Sequence, residues 1–457
     1  MKYLSTRGTA PALDFRAAML AGLASDGGLY VPTQIPQFSP AEIARLARLD
    51  YPTLANEIIS PFVGDSFSAI ELEAMIAKAY AGFRHKATAP LIQLSHDHFL
   101  LELFHGPTLA FKDFALQLLG QMLAATVKDS GKKSLVLGAT SGDTGSAAIA
   151  GLRGQKNIDI VILYPEGRTS EVQRRQMTTT GEANVHALAV AGTFDDCQAL
   201  VKDAFTDAAL RQEFNLLAVN SINWARVMAQ IVYYFYAALS LGAPARRVNF
   251  SVPTGNFGDI FAGYLARQMG LPMGKLMIAS NRNDILTRVL GSGEYRATGV
   301  AATLSPSMDI QVASNFERLV FDLYQRDGRR ISTLMEDFKT TKSLTLTPEA
   351  LANFRQIFAA ASVDDAATLA QMKATYHDSG YLLDPHTAVG VKAATMLEGT
   401  TVTLATAHPA KFPDAVKQAT GMTPALPPHL ADLYERKERI IPRANDATKL
   451  RDYMRKL

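Results

Sequence analysis

The chain predicts an α/β architecture, with parallel sheets carrying helices on both faces behind a mostly helical N-terminal region. Three observations lead there. At 457 residues the chain is too long for one simple core, so two or three domains are expected. From about Leu100 onward, short β-branched runs alternate with helical patterns, as in parallel strands joined by crossover helices. Two of those runs end in glycine-rich segments, at the strand ends where such sheets bind ligands.

Taken in order, residues 1–95 read as helical, apart from one conspicuous turn, Asp26-Gly27-Gly28-Leu29-Tyr30-Val31-Pro32. Residues 134–137 predict a strand, followed by a glycine-rich loop and a small-residue helix from Gly145. Residues 158–164 form another strand, stopped by Pro165, and 185–190 and 216–219 continue the series. Residues 248–252 open a second set, with 277–279 and 402–405 as later members, while 290–302 reads as a flexible loop.

Bulk properties narrow the function. The hydrophobic content of 48% with 19% charged residues is a globular balance. A net charge of +3, from 46 basic and 43 acidic side chains, gives no electrostatic case for nucleic acid or membrane surfaces. The single cysteine, Cys197, excludes an internal disulfide and reads as core filler, since Asp195 and Asp196 beside it would raise a thiol pKa. Residues 1–8 contain no apolar signal core and no run reaches the length of a membrane span, so cytoplasm is expected.

The segment Phe104-His105-Gly106-Pro107-Thr108-Leu109-Ala110-Phe111-Lys112-Asp113 places one lysine between a Gly-Pro turn and a helix. Phe111, Phe114, Ala115, Leu118, Leu119 and Met122 recur at the spacing of one buried helix face. Desolvation and the positive end of the helix both disfavour a charged Lys112. A neutral lysine can attack a carbonyl and form an imine, as cofactor aldehydes require. Read alone, the pair is equally an ordinary Lys-Asp on a helix's first turn.

Two loops are built for anions. Gly138-Ala139-Thr140-Ser141-Gly142-Asp143-Thr144-Gly145 offers hydroxyls and backbone amides at a helix start, without the lysine of a P-loop. Pro253-Thr254-Gly255-Asn256-Phe257-Gly258-Asp259 again runs from strand to helix and suits a phosphate dianion. Each alone is as compatible with a tight turn. Between them, Asn223 and Arg226 project from one helix face, and arginine suits a bidentate grip on phosphate. His96 and His98 flank Asp97 without a further ligand cluster, and His105, His386 and His408 stand as supporting candidates. No Gly-x-Ser-x-Gly elbow supports a hydrolase.

An imine-forming lysine with two anion loops on a parallel α/β scaffold points to pyridoxal phosphate. The motifs above, together with Ser280-Asn281-Arg282-Asn283-Asp284, Ser305-Pro306-Ser307-Met308-Asp309-Ile310, Asp384-Pro385-His386-Thr387 and Thr406-Ala407-His408-Pro409-Ala410-Lys411-Phe412, resemble the threonine synthase family. This is its longer bacterial and fungal type, within the fold-type II pyridoxal phosphate enzymes (tryptophan synthase β-like). The resemblance implies an N-terminal domain of residues 1–95, a large cofactor domain of 96–130 and 236–457, and a small α/β domain of 131–235.

By that resemblance Lys112 is the Schiff-base lysine and proton shuttle. Gly255, Asn256, Phe257, Gly258 and Asp259 hold the cofactor phosphate, and Thr406 faces the pyridine nitrogen. Thr140, Ser141 and Thr144 bind the substrate α-carboxylate, with Asp143 standing where many relatives have Asn. Ser221, Asn223 and Arg226 take the substrate phosphate, with Lys411 a second choice. The implied reaction is γ-elimination and β-addition, converting O-phospho-L-homoserine and water to L-threonine and phosphate. It needs no metal, and a monomer is expected. The competing readings are a hydroxy-amino-acid dehydratase, an amino-phosphate phospholyase and a silent binding protein of the same fold.

Overall fold

The computed structural model describes residues 1–131 and 133–457, built on two sheets that are parallel but for one edge strand. The larger has six strands in the order Phe358–Ser362, Met273–Ser280, Val248–Pro253, Thr401–Ala405, His98–Glu102 and Leu91–Gln93. Only the edge strand Leu91–Gln93 is antiparallel. Thr401–Ala405 is buried at every position, which is why a central strand reads as a continuous run rather than an alternation.

The smaller sheet has five parallel strands in the order Ile441–Ala444, Val185–Ala191, Ile158–Pro165, Ser134–Ala139 and Leu216–Leu217. One face packs Leu135, Leu137, Val161, Leu163 and Val190 on Leu200, Leu450 and Met454. Cys197 belongs to that core, where burial pushes its thiol up to about 11. The opposite face, through Val136, Ile160, Ile162 and Ala187, joins the main core.

Three boundaries differ from the sequence expectation. Ile441–Ala444 was expected within the large domain, yet it pairs beside Val185–Ala191 as the small sheet's edge. The helix Trp224–Ser240, expected mostly in the small domain, is buried nearly all round. It packs against the helices Tyr51–Val63, Lys112–Ser130 and Gly258–Gln268. Residues 1–95 form no separate core: Tyr51, Ile58 and Tyr80 share one apolar cluster with Phe114 and Tyr233, because Ala69–Tyr80 lies on Lys112–Ser130. Within 290–302, expected as a loop, Glu294–Arg296 forms a strand antiparallel to Ser343–Thr345.

One contact fixes how the two sheets meet. The helices Lys112–Ser130 and Asp143–Leu152 cross at Gly120 and Gly151, so closely that a Cβ on Gly151 would lie 2.5 Å from the Leu116 carbonyl oxygen. A Cβ on Gly120 would strike the Gly151 carbonyl. Backbone-to-backbone packing of this kind tolerates no side chain. No helix among the described residues is long and apolar enough to cross a membrane.

Candidate active site

The carboxyl ends of strands from both sheets converge on one cavity, as open parallel sheets dictate. Val248–Pro253 delivers the 254–258 loop, Thr401–Ala405 delivers Thr406, and Ser134–Ala139 leads to Asp143 and Thr144. Lys112 opens its helix beside Thr406, because the Phe111 amide donates to the Thr406 carbonyl at 2.9 Å.

The Lys112 ammonium is buried, with Nζ 3.2 Å from Asp143 Oδ2 and 4.9 Å above the Phe111 ring. Burial pushes its pKa down, opposed by Asp143 and reinforced by the cations Lys411 and Arg226. Asp143 is the hub of the cluster. Its Oδ1 meets Lys411 Nζ at 2.9 Å and accepts from Gln173 Nε2 at 2.9 Å, while its Oδ2 accepts from Ser307 Oγ at 3.1 Å. Burial would raise the Asp143 carboxyl, but Lys112 and Lys411 hold it well below the usual carboxylate range.

Gly255, Asn256, Phe257, Gly258 and Asp259 all line the cavity. Phe257 takes a left-handed conformation with φ 64°, turning the chain into the helix Gly258–Gln268, and no side chain caps that helix. Its first-turn amides thus lack a capping acceptor within the protein. A Cβ on Gly255 would fall 2.7 Å from the Ser307 carbonyl oxygen, so only glycine keeps this seat open. Asp259 contributes through its backbone position. Its Oδ1 accepts from the hydroxyls of Tyr233 at 2.6 Å and Tyr234 at 2.8 Å, its Oδ2 has no partner, and burial pushes the acid up to about 6.

Arg226 and Ser221 reach the cavity as anticipated. Arg226 is 4% exposed, and its Nη1 donates to the Val219 carbonyl at 3.0 Å. Its Nε has no partner, and burial pushes the guanidinium down to about 10. A buried, unpaired donor on a cation is a costly arrangement that an anion relieves.

Four expected contacts are placed differently. Asn223 caps the helix it was expected to project from: Oδ1 accepts from the Ala225 amide, and Nδ2 donates to the Met19 carbonyl at 2.8 Å. Thr140 lies behind the cavity wall, where Oγ1 accepts the Gly142 and Gly145 amides at 2.9 Å each. Ser141 is half-buried but outside the cavity lining, leaving Asp143 and Thr144 as the loop's contribution. Lys411 is fully buried, and its ammonium donates to the Thr108 carbonyl at 2.7 Å besides pairing with Asp143.

The cavity also contains residues the sequence did not assign. Gln230 sits one turn beyond Arg226 and donates to its carbonyl at 2.7 Å; the i, i+4 spacing could have revealed it. Ser307 and His386 arrive from distant segments. His386 Nε2 accepts the Ser307 amide at 3.2 Å, and its Nδ1 lies 2.9 Å from Asp384 Oδ1. His105 and His408 do not line the cavity: His105 pairs with Glu102 at 2.7 Å, and burial pushes His408 down to about 4.

The residues present fit pyridoxal phosphate. An uncapped helix start suits a phosphate, a buried amine suits an aldehyde, and Thr406 offers a hydroxyl beside the amine. The comparisons agree. A family model described as "Pyridoxal-phosphate dependent enzyme" matches residues 85–406, so fold and site define an enzyme of that class. Models for the threonine synthase N terminus and C-terminal region match residues 2–80 and 387–454. The chain belongs to the threonine synthase family. It is 53% identical to the threonine synthase of Pseudomonas aeruginosa over 99% of this chain and 98% of that one. It superposes on the crystal structure of PLP-bound threonine synthase from Brucella melitensis with a TM-score of 0.97 and 52% identity, covering 100% of this chain and 99% of that chain. The yeast threonine synthase structure follows at 0.94 and 40%, covering 99% and 98%.

Proposed function

We propose that this chain binds pyridoxal 5'-phosphate at Lys112 and converts O-phospho-L-homoserine and water to L-threonine and phosphate. The observation that carries the reading is the pairing of a buried amine with two distinct anion seats in one cavity. One seat is the uncapped 254–258 helix start, and the other is the unpaired Arg226 guanidinium. Cofactor and substrate each carry a phosphate, so two seats are what this reaction requires, whereas a dehydratase needs one.

Bound there, the cofactor supplies an aldehyde for amine attachment and a ring that accepts negative charge from the substrate α-carbon. Lys112, Gly255, Asn256, Phe257, Gly258, Asp259 and Thr406 are its holding residues. Nζ of Lys112, kept neutral by burial, takes the proton from the substrate Cα and later returns one. Thr406 meets the ring nitrogen with a neutral hydroxyl rather than a carboxylate. Thr144 stands at the start of the Asp143–Leu152 helix, where a substrate carboxylate is favoured. Arg226 and Ser221 hold the phosphate that leaves from Cγ, and Gln230 braces Arg226.

We further propose that it acts as a monomer in the cytoplasm. The N-terminal helices Tyr51–Val63 and Ala69–Tyr80 already cover the Lys112 and Arg226 helices, and light scattering tests this.

The decisive experiment assays phosphate and threonine release from O-phospho-L-homoserine in matched yield. Lys112→Ala is expected to lose both the visible cofactor band and all product. Arg226→Met is expected to keep the band and lose about 100-fold in kcat/KM, the scale of charge-assisted bonds worth about 2–3 kcal/mol. Unchanged turnover in Arg226→Met would favour a dehydratase, and ammonia release in place of threonine would favour a phospholyase.

A further inference from the structure

Lys411 has no part in the function proposed above, yet it is buried as completely as any residue in the core. It lies in the short helical turn Pro409–Lys411, outside the cavity, and meets Asp143 Oδ1 at 2.9 Å and the Thr108 carbonyl at 2.7 Å. The other oxygen of the same carboxylate is 3.2 Å from Lys112 Nζ. A lone buried carboxylate at that distance would hold Lys112 as an ammonium. Such a lysine is a poor nucleophile and cannot take a proton.

The remaining charged groups facing Lys112 do not alter this balance. Asp113, on the same helix, is turned onto Thr108, accepting its amide at 2.8 Å and its hydroxyl at 2.7 Å. Asp259, from the Gly258–Gln268 helix, is held by two tyrosines and favours its neutral form. Arg226, from the Trp224–Ser240 helix, is a cation, and His386, from Pro385–Ala394, is engaged by Asp384 and the Ser307 amide. Asp143 is thus the carboxylate in contact with Lys112, and Lys411 is the cation that matches it.

We infer that Lys411 is a positioning residue that keeps Lys112 uncharged and nucleophilic, acting through Asp143, whose carboxylate it neutralises. The inference rests on Lys112 being the attachment lysine. Lys411 contributes twice, by pairing with the carboxylate and by repelling a second ammonium beside it. The direction of the Lys112 shift agrees, with Asp143 raising it and Lys411 lowering it. The arrangement also gives Asp143 a task that a neutral residue at the same position does not need: it fixes Nζ in place without fixing its charge.

The test measures how fast apoprotein takes up pyridoxal 5'-phosphate, followed by visible absorbance across pH; the midpoint reports the Lys112 amine. Lys411→Met is expected to raise the midpoint by about one pH unit, slowing uptake about tenfold below it. Asp143→Asn is expected to lower it, and the double variant to return it to the wild-type value. A purely structural role for Lys411 moves no midpoint and predicts no rescue. If Lys411→Met alone fails to fold, the comparison of Asp143→Asn with the double variant carries the same test, with the midpoint rising on loss of Lys411. Normal attachment at Lys112 with midpoints in no charge order overturns this inference alone. Wild-type apoprotein that forms no adduct, or Lys112→Ala that forms it equally, overturns the proposed function and this inference together.

Discussion

The loops at 140–145 and 254–258 look alike in sequence: each is glycine-rich, leaves a parallel strand and opens a helix. They behave differently in the fold. The first closes on itself, with Thr140 Oγ1 taking two backbone amides and Gln173 bonding Asp143. What remains for a ligand is side-chain chemistry, Asp143 and Thr144. The second leaves the start of its helix uncapped and is kept open by Gly255 against the Ser307 carbonyl. Both carry the same favourable helix field. What separates a phosphate seat from a braced turn is whether the loop's own hydroxyls already satisfy its amides.

That contrast can be broken most forcefully at Gly255. In Gly255→Ala the added Cβ meets the Ser307 carbonyl, so the loop or the 305–308 turn must shift. Cofactor affinity, titrated on the apoprotein, is expected to fall about 100-fold, or about 2.8 kcal/mol. Wild-type affinity would show that the phosphate sits elsewhere. Thr140→Val should act on the other loop in another way. It strips two buried amides of their acceptor, lowering stability by about 2 kcal/mol, read as a lower urea midpoint. Cofactor affinity should stay within about twofold, a change of under about 0.5 kcal/mol. A loss matching that of Gly255→Ala would erase the distinction. The smallest effect is expected at Asn223, which caps a helix between the two loops. Asn223→Ala should lose about 1 kcal/mol of stability with kcat/KM for O-phospho-L-homoserine unchanged. A fall in kcat/KM would restore the substrate contact that the sequence predicts there.

Much of this was legible before folding, for local reasons. Ile158–Pro165 and Val248–Pro253 announce themselves through β-branched runs ended by proline, and Lys112 through the apolar face that follows it. Phe358–Ser362 escaped notice because its sequence, Phe-Ala-Ala-Ala-Ser, carries no β-branched residue, and a neighbouring strand supplies the reason it is extended. Asn223 was misplaced because helix-face spacing applies only inside a helix. A cap residue turns its side chain back onto the backbone instead. Ser307 and His386 come from segments far from Lys112 in sequence, so only the tertiary fold joins them to the site. Ile441–Ala444 likewise becomes a small-sheet strand only because Val185–Ala191 offers it an edge.

The glycine crossing at Gly120 and Gly151 has a mechanical consequence. The helix that carries Lys112 at its start and the helix that carries Asp143 at its start touch backbone to backbone there, with no side chain between them. Such a contact resists sliding and compression but permits a small rotation. It therefore acts as a fulcrum, set one or two helical turns behind the reacting amine. If the small sheet swings over a bound substrate, Asp143 and Thr144 travel on the short arm of that lever. Their displacement at the amine is then a fraction of the motion at the sheet's far edge, so the layer can open and close while Lys112 keeps its neighbours.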